Sequence, residues 1–209
     1  GSVLLRGSSN GNELHSNTST NTSALGVTLE AATIDAGTGS ISIESKAVSD
    51  GGSGVQVRGT RLFGDSHLRT SGTISIDADL TAQNAVATAL LLVATADGTP
   101  SIEPSSGSSF VLTSNIADTQ ATETYYIDID QTANPIERAL SAANFTLPLP
   151  SLLAGASVEE FTSSPTNVAT VVSSTGEVDP LSVGSARVAG IVSRSDWSVP
   201  LETAWRLPT

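Results

Sequence analysis

Short runs that alternate apolar and polar residues recur down the first half of the chain, each set off by Gly, Ser, Asp or Asn. The clearest are Gly26-Val-Thr-Leu29, Gly39-Ser-Ile-Ser-Ile-Glu44, Gly54-Val-Gln-Val57 and Gly72-Thr-Ile-Ser-Ile-Asp77. A period of two marks a strand with one buried face. In such strands Ile41 and Ile43 point into the core while Ser42 and Glu44 face out, and Ile74 and Ile76 repeat the arrangement over Ser75 and Asp77. A slip of one residue would exchange the two sets. The order of motifs recurs, with the first and third offset by 28 positions and the second and fourth by 33. Runs of this kind, spaced by turn residues and without helical periodicity between them, predict an all-β protein of stacked strands, a parallel β-solenoid. An antiparallel sandwich would produce the same alternation.

Beyond the repeats the pattern loosens. Val3-Leu-Leu5 is a candidate first strand, and residues 7–23 form a Ser/Thr/Asn/Gly-rich tract expected to be loop. The run Leu90-Leu-Leu-Val93 suits a fully buried strand or a short helix, since so short an apolar segment does not fix its period. Phe110-Val-Leu112, Tyr125-Tyr-Ile-Asp-Ile129 and residues 168–172 and 187–192 are later strand candidates. Asn134-Pro135 has the form of a helix cap followed by its first residue. Pro148 and Pro150 exclude a regular helix or central strand around them. The expected organisation is a solenoid over 1–118 and an irregular β-rich extension, a cap or a loop-bearing region, over 119–209.

Composition narrows the function. A net charge of −12, with one Lys and eight Arg, opposes binding to a nucleic-acid backbone. Cys is absent, which removes disulfides and thiolate metal sites. The longest strongly apolar stretch, 85–96, is shorter than the roughly 20 residues of a membrane helix, so no membrane insertion is expected. Acceptor patterns for N-glycosylation occur at Asn17, Asn21 and Asn144 and have meaning only in a glycosylating host.

The stretch Gly26-Val-Thr-Leu-Glu-Ala-Ala-Thr-Ile-Asp-Ala-Gly-Thr-Gly-Ser-Ile-Ser-Ile-Glu44, with Gly54-Val-Gln-Val57 and Gly72-Thr-Ile-Ser-Ile-Asp77, resembles the repeats of filamentous-haemagglutinin-type exoproteins. The resemblance covers residues 26–80 best. It implies a right-handed parallel β-helix, export by two-partner secretion, and a secreted or cell-surface place in bacterial adhesion and virulence.

Candidate chemistry is sparse. Asp77 and Asp79 share a strand face, Glu44 neighbours them if the repeats stack in register, and Asp128 and Asp130 repeat the spacing beside two tyrosines. Such carboxylates, joined by backbone carbonyls, could ligate calcium; a solvated acidic face needs no metal. His15 and His67 lie in polar segments without zinc-ligand spacing, and no Ser stands in a nucleophile elbow or an evident Ser/His/acid arrangement. Trp197 and Trp205 could contact a carbohydrate or protein, or close the end of an Ala/Val-rich core. No catalytic residue and no cofactor other than calcium is put forward. The expected role is a non-catalytic stalk or binding segment of a large bacterial adhesin, a monomeric fragment of a longer chain whose partner is a host or bacterial surface protein or glycan. The alternatives are a secreted β-helical polysaccharide-active enzyme and a phage or surface-fibre module.

Overall fold

A computed structural model describes residues 1–10, 23–49, 56–83, 86–104, 110–120, 123–130, 143–146, 157–193 and 201–206. The helix expected at Asn134 and the Pro148/Pro150 break lie outside them. The described residues are all-β and contain no helix.

Eleven strands make up the first part: β1 (Val3–Asn10), β2 (Ser23–Glu30), β3 (Thr33–Asp35), β4 (Ile41–Ser49), β5 (Gln56–Phe63), β6 (His67–Thr70), β7 (Ile74–Gln83), β8 (Val86–Val93), β9 (Ser101–Pro104), β10 (Phe110–Gln120) and β11 (Glu123–Asp130). Every third strand returns to the same sheet. The first sheet runs β1-β4-β7-β10, the second holds β11-β8-β5-β2 in that order, and the third is β3-β6-β9. All of these pairs are parallel.

Register places like on like. Val3, Ile41, Ile74 and Phe110 form one inward column of the first sheet, and Leu5, Ile43, Ile76 and Leu112 form the next. Leu29, Leu62, Leu92 and Ile129 line the second sheet, and Ile34, Leu68 and Ile102 the third. Side chains in the middle of these columns, such as Ile41, Leu62, Leu68 and Ile74, are fully buried. Ser42, Glu44, Ser75 and Asp77 lie on the opposite face, as the alternation predicts.

The 33-residue offset of the Ile motifs is the register observed, Ile41 opposite Ile74. The 28-residue offset is corrected: Ala24 pairs with Val57 and Val27 with Thr60, so β2 and β5 are also 33 apart. The misreading arose because Thr60, fully buried, stands where an apolar residue was sought. Its hydroxyl is satisfied by donating to Ser45 Oγ at 3.3 Å. The first strand is also longer than expected and takes in residues 7–10 of the Ser-rich tract. Leu90–Val93 is strand, with nearly the whole of β8 buried on both faces.

In the second sheet each ladder breaks at one level, between Leu25 and Val27, Arg58 and Thr60, and Thr88 and Leu90. Gly26 and Gly59 occupy this corner. A Cβ on Gly59 would sit 2.7 Å from both Ala78 Cβ and the Ala89 carbonyl oxygen, and one on Gly26 would sit 2.8 Å from Ser45 Cβ. The corner divides the interior into two lobes. Ile, Leu and Phe fill the broader one, whereas Ala24, Ala47, Val57, Ala78, Leu80, Ala82, Ala87 and Ala89 fill the narrower. Small side chains there let the first and second sheets approach closely.

The remaining strands are β12 (Phe145–Thr146), β13 (Ser157–Ser164), β14 (Ala169–Val171), β15 (Glu177–Pro180), β16 (Arg187–Ser193) and β17 (Leu201–Arg206). β17 pairs in parallel with β11, then β16 and β13 follow antiparallel, so the second sheet has seven strands. β12, β15 and β14 form a separate antiparallel sheet. Phe161, Val178 and Val188 belong to the same apolar cluster as Ile41 and Leu62. The 118/119 boundary drawn from composition falls inside β10, and the second sheet continues across it.

Gly59→Ala should lower stability by about 1–3 kcal/mol, the usual cost of overpacking a close contact. Urea unfolding of the two proteins checks this. An unchanged midpoint would mean that the sheets are not pressed together at the corner.

Candidate functional site

Stacking turns the polar positions of the first sheet into rows. Arg6, Glu44, Asp77 and Thr113 are register partners across its four strands, and Lys46, Asp79 and Asn115 form the adjacent row together with Ser8. Because β1, β4, β7 and β10 alternate strictly here, these side chains share the outer face. A shallow groove of about 390 Å³ runs over it, lined by Arg6, Ser8, Glu44, Lys46, Asp77 and Asp79 with Gly7 and Ser45.

The groove is electrostatically paired. Arg6 donates to Glu44 through Nε at 2.6 Å and Nη2 at 3.2 Å, a two-point contact. That hydrogen bond, outweighing the small effect of burial, holds the Glu44 carboxyl below the usual carboxylate range and raises the Arg6 guanidinium. Lys46 Nζ lies 3.1 Å from Asp79 Oδ2, and Asn115 donates to Asp79 Oδ1 at 3.2 Å. Glu44 and Asp77 therefore do stand side by side, but Glu44 is kept ionised and is unsuited to donate a proton to a glycosidic oxygen. With Lys46 and Asn115 on Asp79, the Asp77/Asp79 pair presents one occupied and one exposed carboxylate.

The second acidic pair is elsewhere. Asp128 is fully buried in β11, with Arg187 Nη2 3.6 Å from its Oδ2. Asp130 is at the end of the same strand, in register with Val93 and Arg206. Among the described residues no three His, Asp or Glu side chains gather as a metal site. Trp205 is in β17, in register with Ile129 and Val188, and Trp197 lies outside the described residues.

The third sheet carries an arrangement that the sequence did not reveal. His67 stacks on Ser101, with Nδ1 2.6 Å from Ser101 Oγ and Nε2 2.9 Å from Asp65 Oδ1. Ser101 Oγ in turn donates to Glu103 Oε1 at 2.5 Å, and Arg69 Nε donates to Glu103 Oε2 at 2.9 Å. Serine, histidine and aspartate thus come together, yet the serine proton goes to Glu103 rather than to the imidazole. Ser101 is only 7% exposed, and its own N–H is taken by the Ser66 carbonyl at 2.9 Å. This is the geometry of a hydrogen-bonded surface ladder, not of an activated nucleophile with an oxyanion pocket. The signal available in the sequence was the spacing of 34 between positions 67 and 101.

Compared with known proteins, the chain matches no family model, no curated protein and no solved structure.

The Ser101 hydroxyl, ahead of Arg69, depresses the Glu103 carboxyl, with partial burial opposing both. A depressed folded-state value contributes stability above the ordinary carboxylate range, and that contribution is lost as pH falls through the folded value. In Ser101→Ala the Glu103 carboxyl should titrate at higher pH, closer to an ordinary glutamate, and the acid limb of the stability profile should flatten. Carbon-13 NMR titration of the side-chain carboxyl checks this; an unmoved Glu103 midpoint would rule out the hydroxyl as the cause.

Proposed function

We propose that this chain is part of a right-handed parallel β-helix in an extracellular bacterial exoprotein of adhesin type. It serves there as a non-catalytic stalk with a binding-competent side. The observation that carries the reading is the return of every third strand to the same parallel sheet with apolar residues in register. Such a path builds length without a large globular core, because each added set of strands needs only its neighbours. The resemblance of residues 26–80 to exoprotein repeats and the acidity agree with a secreted or cell-surface location.

The outer face of the first sheet is the side best suited to contact a surface protein or glycan. Its rows set donors and acceptors side by side on paired strands, and Asp77 is exposed beside the paired Glu44 and Asp79. Calcium has no part in this reading, since Lys46 faces Asp79 and Arg187 faces the buried Asp128.

Three measurements test it. A cryo-EM structure of the parent exoprotein should show continuous right-handed coils through these residues; a left-handed or discontinuous path would sink the architecture. The purified chain should bind saturably in a panel of immobilised glycans and host-cell surfaces, and Lys46→Glu with Asp77→Ala should weaken that binding at least tenfold while melting is unchanged. Binding indifferent to both substitutions would remove the adhesive role from this face. Added millimolar calcium should leave the melting transition where it is; a rise would return the aspartates to consideration as ligands.

A further inference from the structure

The Asp65–His67–Ser101–Glu103 ladder holds a proton count that a neutral imidazole does not satisfy. Ser101 has one hydroxyl proton, and it lies in the 2.5 Å contact to Glu103 Oε1, because a carboxylate has none to give. The 2.6 Å contact between His67 Nδ1 and Ser101 Oγ therefore needs a proton from Nδ1. The 2.9 Å contact between Nε2 and the Asp65 carboxylate needs one from Nε2. Only the imidazolium supplies both. Its charge is matched by Asp65 and by Glu103, whose Oε1 lies 4.0 Å from Nδ1 and whose other oxygen is held by Arg69. β6 packs against β3 and β9. On β3, Thr33 is the register partner of His67, and Asp35 one row on accepts the Gly37 N–H at 2.8 Å. The turn closed by Thr95 and Gly98 packs against Asp65 and carries the exposed Asp97. Removing one proton from the ring has two outcomes. A bare Nε2 turns its lone pair on the Asp65 carboxylate, or a bare Nδ1 takes the Ser101 proton away from Glu103.

We infer that His67 is a proton-operated clasp on the third sheet: doubly protonated, it ties β9 to β6 through Ser101 while Asp65 holds its other nitrogen, and loss of one proton loosens that pairing. The place suits a switch. β6 and β9 have four residues each, so a single side-chain link is a large share of what joins them. The His67 side chain is 17% exposed, enough to exchange protons with water while Ser101 stays nearly buried. Histidine is also the side chain whose charge changes within the physiological range. The clasp acts on the third sheet and not on the groove of the first, so it stands apart from the adhesive reading.

Nitrogen-15 NMR of the 209-residue chain over a pH series tests this, with His15→Gln separating the two imidazoles. Hydrogen exchange is read at the Ser101 N–H, which donates to the Ser66 carbonyl at 2.9 Å. At the pH of fullest Ser101 protection the His67 ring should carry two protons. That protection, corrected for intrinsic exchange, should fall about tenfold as the ring loses one of them, the equivalent of a hydrogen bond to a charged group. The Ile41 N–H, bonded to the Thr73 carbonyl in the first sheet, should not follow. In His67→Gln, which has no proton to lose, the step should vanish. Should that variant fail to fold, the ring and the amide of the unaltered chain decide the question alone. A singly protonated ring at fullest protection, a protection that ignores the ring's proton, or a step retained in folded His67→Gln would each overturn the inference.

Discussion

The fold depends on one constraint: each strand of the parallel sheets must satisfy its backbone with a strand some thirty residues away in sequence. Those pairings hold only if the intervening turns bring the chain back in phase. Ser66, fully buried at one such turn, places its hydroxyl 2.7 Å from the Phe63 carbonyl and 3.1 Å from that of Leu29 in the layer below. At another turn the Thr70 hydroxyl accepts from the Gly72 N–H at 2.9 Å and contacts the Gly37 and Gly39 carbonyls. Small polar side chains at the corners thus lock layer to layer, and the aliphatic columns fill what the backbone encloses. Hydrogen bonds fix the phase; burial supplies the stabilising free energy.

The outer surface obeys the same stacking. A residue's lateral neighbour is its register partner, so charge of opposite sign at equivalent positions becomes a ladder of contacts, as in Arg6–Glu44, Lys46–Asp79 and Arg69–Glu103. All three pairs are largely exposed, and exposed pairs contribute little to stability. Their effect is on the pattern presented to solvent. An acidic chain here shows a face on which most described carboxylates have a cation or a donor close by.

Much of this was legible where side chains repeat in kind. Ile41/Ile43 and Ile74/Ile76 announced both their strands and their mutual register, because alternation and spacing agree. Glu44 beside Asp77 followed from that register. β2 and β5 were harder: a buried Thr60 and the corner glycines Gly26 and Gly59 interrupt the apolar signal at the level where the sheet bends. The Asp65–His67–Ser101–Glu103 chain was invisible for a related reason. Its members are ordinary surface residues whose meeting depends on a connection length, which no local pattern encodes. Asp128 looked like Asp77 in sequence, yet it lies fully buried with Arg187 beside it, whereas Asp77 belongs to an open face.

The direction of the ladders has a mechanical consequence. Neighbouring parallel strands are spaced along their hydrogen bonds, about 4.8 Å apart, so those bonds point down the length of the stack. Tension applied end to end would load successive layers in series, each carrying the full force, and the first to part would be the layer with the fewest bonds and the least buried contact. A force across the stack would instead be shared by all layers in parallel. The third sheet, whose strands are only three or four residues long, would be the weakest side under axial pull. Peeling would therefore start along one flank of the molecule rather than by simultaneous rupture of all three.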